Sequence, residues 1–117
     1  MMKDLELVDY TPEVEGNRDS ESPWWVRFSP MTAGENRRFL KAVNMKMGSE
    51  NSTNKAIEVL EQIFTKRVVE VHGLEDIRGR IINTGAELFE NGEQGQIDDV
   101  YEALTKASKL KRGLKKK

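Results

Sequence analysis

The side chains that could do chemistry are few in this chain of 117 residues. It has no cysteine and a single histidine, His72. Without a thiol there can be no cysteine nucleophile, disulfide or thiolate-ligated metal, and a lone histidine lacks the second histidine or cysteine that a zinc site normally needs. Neither a Gly-x-Ser-x-Gly elbow nor a phosphate-loop glycine motif occurs. We therefore interpret His72 as a structural residue and predict that the protein is not an enzyme and uses no metal or cofactor.

The adjacent carboxylates Asp98 and Asp99 are the other candidates for chemistry, because two close acids can form a proton-transfer pair. They stand near the start of a predicted helix, where negative charge favourably opposes the helix dipole. We favour this helix-stabilising interpretation over an acid site.

Two adjacent tryptophans lie in a predicted strand between Pro23 and Pro30. Strand alternation places Trp24 with Phe28 on one face, which we predict to be core, and Trp25 on the opposite face. Tryptophan is enriched at binding hot spots. Trp25 is therefore a candidate partner contact, and the alternative that the N-terminal arm covers it stays open.

Capping boxes and apolar periodicity predict the helices. Thr32 and Glu35 have the spacing of a capping box that starts the first helix, and Thr84 and Glu87 repeat it later. In the first helix the apolar side chains predict one buried stripe and the basic ones an outward face. The predicted stripe is Phe39, Leu40, Val43 and Met47, and the outward residues are Arg37, Arg38, Lys41 and Lys46. Arg37 and Arg38 join Trp25 as candidate partner-binding residues.

These patterns predict a mainly helical α+β fold. The predicted buried faces of the second and last helices are Ala56, Ile57, Leu60, Ile63 and Phe64, and Ile97, Val100, Tyr101, Leu104 and Ala107. The predicted strands cover about 24–29 and 68–72, and the helices cover about 33–47, 54–67, 85–90 and 96–109. For residues 68–72 a continuation of the second helix stays open. Residues 75–83 are predicted to be a turn-like insertion around Arg78-Gly79-Arg80.

The chain divides into an arm, one domain and a tail. Residues 1–22 form a predicted extended arm and loop, in which Leu5, Leu7 and Val8 with Tyr10 could lay a short strand or a hydrophobic tether on the body. Residues 23–110 form a single predicted globular domain, and residues 111–117 form a predicted flexible, basic tail.

Charge is uneven along the chain. Residues 106–117 hold seven basic side chains and no acid, whereas the whole chain has a net charge of −1, so the body is acidic. An acidic body repels phosphate, and the second predicted helix carries Glu58 and Glu61 beside its lysines, which argues against a DNA-reading helix-turn-helix. Apolar runs of three or four residues and an acid-rich N-terminus predict neither a membrane span nor a signal peptide.

Several short motifs resemble the small tail assembly chaperones of long-tailed bacteriophages. In the first half these are Tyr10-Thr11-Pro12, Gly16-Asn17-Arg18-Asp19 and Pro30-Met31-Thr32 with Glu35. In the second half they are Val71-His72-Gly73-Leu74-Glu75-Asp76, Ile82, Thr84 with Glu87-Leu88, and Ala107-Ser108-Lys109-Leu110. The chain departs from the family at Ile77-Arg78-Gly79-Arg80, where many members have Glu-Asp-Gly-type turns.

The resemblance implies a non-enzymatic protein of the bacterial host cytoplasm that binds the tape measure protein and recruits tail tube subunits. It carries over no catalytic residue. Many members are also made as a longer frameshifted product, and we interpret Lys115-Lys116-Lys117 as the translated trace of an A-rich slippery sequence. The alternatives are another phage morphogenesis or virion structural protein, such as a tail or head–tail joining component, and a small nucleic-acid-binding regulator that uses the basic tail. The oligomeric state stays open.

Overall fold

A small antiparallel sheet packs against α-helices around one core in the computed structural model, which describes residues 7–43 and 50–115. Strands β1 (Val8–Tyr10), β2 (Trp25–Phe28) and β3 (Val68–His72) form the sheet in the order β1-β2-β3. Strands β4 (Leu74–Glu75) and β5 (Ile81–Ile82) form a separate hairpin. The α-helices are α1 (Ala33–Val43), α2 (Glu50–Arg67), α3 (Gly85–Asn91) and α4 (Gln94–Lys115). The predicted mainly helical α+β fold is confirmed.

Strand β2 is the centre of the sheet and supplies much of the core. Trp24, Val26 and Phe28 are all buried, as the alternation predicts. Strand β3 runs antiparallel beside β2 with Trp25 opposite His72, so residues 68–72 form a strand and not a continuation of α2. On its other side β2 pairs with β1, which makes part of the N-terminal arm an edge strand of the sheet.

The rest of the arm is held by buried polar contacts. A 3-10 helix covers Val14–Asp19, within the segment expected to be a loop. The amide of the buried Asn17 donates to the carbonyl oxygens of Pro12 (2.7 Å) and Trp24 (2.9 Å), and its oxygen accepts from the backbone N–H of Trp24 (3.0 Å). One side chain thus satisfies three backbone groups and joins the arm to the start of β2.

Asp99 holds the same arm from α4. It accepts hydrogen bonds from the hydroxyl of Tyr10 (2.5 Å) and from the backbone N–H groups of Glu13 (3.1 Å) and Val14 (3.0 Å). Burial and the bond to Asp99 raise the pKa of Tyr10 to about 12. The side chain of Asp98 instead accepts from Gln94 one turn earlier (2.8 Å). Asp99 therefore does more than stabilise the helix dipole as predicted, because its hydrogen bonds anchor the arm to α4.

Both predicted capping boxes start a helix. The Thr32 hydroxyl accepts from the backbone N–H of Glu35 (3.1 Å), and the Glu35 carboxylate accepts from the N–H of Thr32 (3.0 Å). At α3 the Thr84 hydroxyl accepts from the N–H of Glu87 (3.1 Å), but the Glu87 carboxylate accepts from Asn83 (2.8 Å) and not from Thr84.

The predicted buried stripe of α1 is wrong at Leu40 and Val43 and holds in part at Phe39. Leu40 and Val43 are each 44% exposed, and the residues that face the core are Glu35, Ala42 and, in part, Phe39. The reason is a buried ion pair, because the Arg67 guanidinium donates to both carboxylate oxygens of Glu35 at 3.0 Å. Because of this pair, the side of α1 that carries Glu35 faces the core. Arg37, Arg38 and Lys41 are exposed as predicted, whereas Lys46, Met47 and the predicted end of this helix lie outside the described residues.

The other helices follow their predicted faces with one exception. Ile57 is 50% exposed, and Val59 takes its place in the core beside Ile63 and Phe64. In α4, Ile97, Val100 and Leu104 are buried and Ala103 is added. Helix α2 begins at Glu50, earlier than the predicted 54, and α4 covers 94–115 in place of the predicted 96–109.

The segment predicted to be a turn-like insertion is a hairpin whose strands hold Leu74 and Ile82 in the core. After it, Gly85 starts α3 against the end of α2. A Cβ atom at Gly85 would lie 2.2 Å from the carbonyl oxygen of Phe64 and 2.6 Å from that of Val68, so only glycine fits this approach.

Candidate partner-binding surface

Trp25 lies on the solvent face of the three-stranded sheet and is half-buried. Its indole ring stacks on the imidazole of His72, with ring centroids 4.3 Å apart and an interplanar angle of 18°. The Arg27 guanidinium lies 5.4 Å from the centroid of the indole. His72 also contacts the carboxylate of Glu70, at 2.6 Å. The ring is thus covered in part by side chains of its own sheet.

Charged side chains cross the same face beside Trp25. Arg27 pairs with Asp9 at 2.7 Å and lies 3.7 Å from Glu70, so one cation separates two carboxylates on neighbouring strands. The hydrogen bond from Arg27 lowers the pKa of Asp9, and the same bond raises the pKa of Arg27. These ionic contacts occupy the charged groups of Arg27, Asp9 and Glu70 beside Trp25.

Helix α1 carries the other two predicted contact residues. Arg37 and Arg38 lie on its exposed side, and Lys41 continues the basic face one turn later. Trp25 belongs to the sheet, and the ring contacts of its indole are to His72 and Arg27. The structure therefore places the predicted contact residues on two separate elements, the sheet face and α1, which form two separate candidate surfaces.

The helix arginines have apolar neighbours that sequence reasoning assigned to the core. Leu40 and Val43 are one turn apart on α1, and Ile57 lies in the first half of α2, which packs along α1. We call Leu40, Val43 and Ile57 the α1–α2 apolar surface. The sequence contains one signal for this surface, because Glu35, Phe39 and Ala42 also have the spacing of a buried helix face. That face is hard to recognise in the sequence because one of its members is an acid.

The position of α1 relative to α2 is set by the Glu35–Arg67 pair. Arg67 ends α2, and its guanidinium also donates to the hydroxyl of Ser29 (3.2 Å) just after β2. Burial alone would raise the pKa of Glu35, but hydrogen bonds from Arg67 and from the Thr32 N–H lower the pKa below its ordinary value. Glu35 is thus ionised at neutral pH and ties the start of α1 to the end of α2.

The apolar, aromatic and charged side chains of these surfaces can make non-covalent contacts. Among residues 7–43 and 50–115 there is no group of three or more potential metal ligands. Within the same residues, the helices are too short or too polar to cross a bilayer. Exposed apolar groups with basic neighbours suit contact with a partner protein that is itself apolar and acidic.

No protein-family model matches the chain, and searches of curated proteins and of solved structures also found no match.

Proposed function

We propose that this protein is a bacteriophage or prophage tail assembly chaperone that binds the tape measure protein and recruits tail tube subunits during tail morphogenesis, without enzymatic activity. The observation that supports it best is the α1–α2 apolar surface with its basic border. On this proposal the protein acts in the cytoplasm of the bacterial host.

The physical fit is to a helical client. A tape measure protein is a long helical chain that would aggregate through its apolar stripes if they were left bare. Leu40 and Val43 stand one turn apart on α1, and Ile57 is exposed on the α2 helix that packs against α1. We expect an amphipathic helix to lay its apolar stripe along α1 and to reach α2. Arg37, one turn before Leu40 on the same side of α1, would then meet an acidic side chain beside that stripe, which favours partners of that charge.

The expected affinity is moderate. Leu40, Val43 and Ile57 are about half exposed, so covering each one gains about 1 kcal/mol, which is half of the value for full burial. These three side chains supply about 3 kcal/mol of the roughly 8 kcal/mol that a micromolar affinity requires, so other contacts with the client must provide the rest. An affinity of that order allows later displacement by tube subunits.

The test asks whether a long, helix-rich protein is encoded immediately downstream and, where it is, co-expresses that protein with the full chain. The readout is the soluble fraction of the long protein. We expect the wild-type chain to keep it soluble. The double variant L40S/V43S should weaken binding by about 30-fold, because two half-exposed apolar side chains no longer contribute. Val69→Ser is the matched control, since Val69 is an apolar residue on β3 that is 43% exposed and belongs to neither proposed surface. Equal solubilisation by L40S/V43S and wild type would refute the assignment of this surface.

The rival functions give different results. A virion structural protein would be found by mass spectrometry of purified particles, whereas a chaperone is absent from them. A nucleic-acid-binding regulator would show salt-dependent DNA retention that is lost on deletion of residues 109–117. An A-rich slippery site leading into an overlapping frame would support the chaperone and its longer product, and an interrupted A-run without such a frame would remove the frameshift hypothesis.

A further inference from the structure

The β4–β5 hairpin ends in an apolar and basic tip. Ile77 is 83% exposed at the turn, and Ile81 on β5 is 64% exposed. Arg78 and Arg80 lie between them and are also exposed. We call Ile77, Arg78, Arg80 and Ile81 the hairpin tip. Isoleucine is a poor turn residue, since such turns favour Asn, Asp, Ser, Gly and Pro, so local conformation does not account for Ile77.

The hairpin tip is held rigidly in place. The Asp76 carboxylate accepts from the backbone N–H groups of Arg78 (2.9 Å) and Arg80 (2.9 Å), and it pairs with the Arg80 guanidinium at 3.2 Å. The backbone N–H of Gly79, at φ +82°, donates to the carbonyl oxygen of Asp76 (2.9 Å). Because the turn is already ordered, Ile77 can bind a pocket on a partner without the loss of conformational entropy that a flexible loop would incur.

A groove of opposite character lies between the arm and α4. It is an open cavity of about 460 Å³ lined by Val14, Gly95, Tyr101 and the carboxylates of Asp98, Asp99 and Glu102. Gly95 lets the arm come close, since a Cβ there would lie 3.3 Å from a methyl group of Val14. We call this the arm–α4 groove. Asp99 is committed to the arm, whereas Asp98 and Glu102 are exposed.

We propose that the chain associates with a second copy of itself head to tail, with the hairpin tip of one copy seated in the arm–α4 groove of the next. Ile77 meets the apolar part formed by Val14 and Tyr101, and Arg78 meets the carboxylate of Glu102. Ile77 and Ile81 are exposed, so the tip is not seated in the groove of its own chain, and the acidic lining of the groove complements the basic tip. We therefore assign the groove of a second copy as its partner. Each copy carries one tip and one groove, which makes the contact heterologous and leaves a free tip and a free groove at the ends of every dimer.

The charges and the size of the contact set its strength. The groove has three carboxylates, of which Asp99 already accepts from the arm and Asp98 from Gln94. The hairpin tip has two guanidinium groups, of which that of Arg80 already pairs with Asp76. The attraction between the two sides therefore rests mainly on Arg78 and Glu102. A single turn in a small groove is well below the size of a standard protein interface, and weak, reversible association is expected. This association uses neither Trp25 nor the α1–α2 apolar surface, and it is therefore independent of the proposed client binding.

The test is the mass of the purified full chain by sedimentation equilibrium, at low salt and up to about 1 mM, where even a weak contact is populated. A single chain has a mass of 13.4 kDa, and we expect the mean mass to rise above it with concentration. Ile77→Ser should weaken association at least tenfold, as expected for a central apolar anchor. Ile57→Ser is the control, because Ile57 is an exposed isoleucine outside the contact, and it should leave the mass unchanged.

Charge reversal decides the pairing. Arg78→Glu and Glu102→Arg should each weaken self-association, and an equimolar mixture of the two variants should associate again, because the altered tip fits the altered groove. Each chain should keep the fold, which circular dichroism and thermal unfolding verify. The proposal is overturned if wild type stays at 13.4 kDa throughout, if I77S leaves the association unchanged, or if the mixed charge variants fail to associate. None of these outcomes depends on a tape measure protein, so failure here leaves the proposed function untouched.

Discussion

Replacement of Glu35 tests the main structural connection between α1 and α2. Glu35→Gln keeps the size of the side chain and can still accept a hydrogen bond from the Thr32 N–H, but it removes the charge that pairs with Arg67. We expect the free energy of unfolding to fall by about 1–2 kcal/mol, the difference between charge-assisted and neutral hydrogen bonds. Glu35→Ala also removes the cap and leaves the Arg67 side chain, which is only 19% exposed, without its carboxylate, for a loss of about 3 kcal/mol.

The control is Lys66→Ala. Lys66 also lies 3.7 Å from Glu35, but its side chain is 69% exposed, so the pair is worth at most about 0.5 kcal/mol. Urea unfolding at pH 7, followed by tryptophan fluorescence and circular dichroism, measures all three variants. The ionic interpretation is refuted if E35Q unfolds at the wild-type urea midpoint, or if K66A costs as much as E35A.

The pH dependence of the same variant gives an independent check. Because the pKa of Glu35 is lowered in the folded protein, its contribution to stability is present above the ordinary Glu pKa of about 4.3 and is lost as the pH falls through the folded value. The stability gap between wild type and E35Q should therefore be full at pH 7 and shrink progressively below about pH 4. Asp9 and Asp76, whose pKa values are also lowered, contribute equally to both proteins and cancel in the difference.

Three further substitutions test the contacts that hold the fold. Asn17→Ala leaves three buried backbone groups without a partner and should cost about 3 kcal/mol, measured by urea unfolding against the exposed control Asp19→Ala. Gly85→Ala puts a Cβ atom against two carbonyl oxygens and should cost more than about 3 kcal/mol or prevent folding, so a thermal midpoint equal to that of wild type would contradict the close approach. Tyr10→Phe removes the bond to Asp99 and should cost about 1 kcal/mol at neutral pH. Because the pKa of Tyr10 is raised from 10.0 to about 12, its contribution is present below pH 10 and is lost towards pH 12 in wild type only, which unfolding at alkaline pH and the phenolate absorbance would show.

Local sequence patterns correctly predicted those helices and strands that are determined by contacts between residues close together in the chain. The hydroxyl of Thr32 and the carboxylate of Glu35 are three residues apart, and their spacing alone predicts the start of α1. The same is true of the alternation that buries Trp24 and Phe28 in β2. In both cases the deciding contact lies within a few residues, so the sequence contains all the information that the prediction needs.

The failures have long-range causes. The sequence around Glu35 predicts only a cap, and nothing nearby indicates that Arg67, 32 residues later, draws it into the core and leaves Leu40 and Val43 exposed. Asp99 was assigned to the helix dipole, and its partners lie 85–89 residues away in the arm. The same distinction applies to the candidate contact residues. The exposure of Arg37 is predictable from its charge, whereas the exposure of the apolar side chains beside it is not.

The ion pair that caused the largest error also supports the proposed surface. Leu40 lies on α1, Ile57 lies on α2, and a helical client must touch both, so the two helices have to keep one relative position. The Glu35–Arg67 pair joins the first turn of α1 to the last residue of α2, at the end of the helix pair away from Val43. A packed apolar contact would hold this end equally well, but it would not require one orientation of Glu35, which a bidentate guanidinium–carboxylate pair does. If the surface binds a client as proposed, E35Q should therefore weaken that binding at temperatures where the variant is still fully folded, although Glu35 itself is buried and touches no partner.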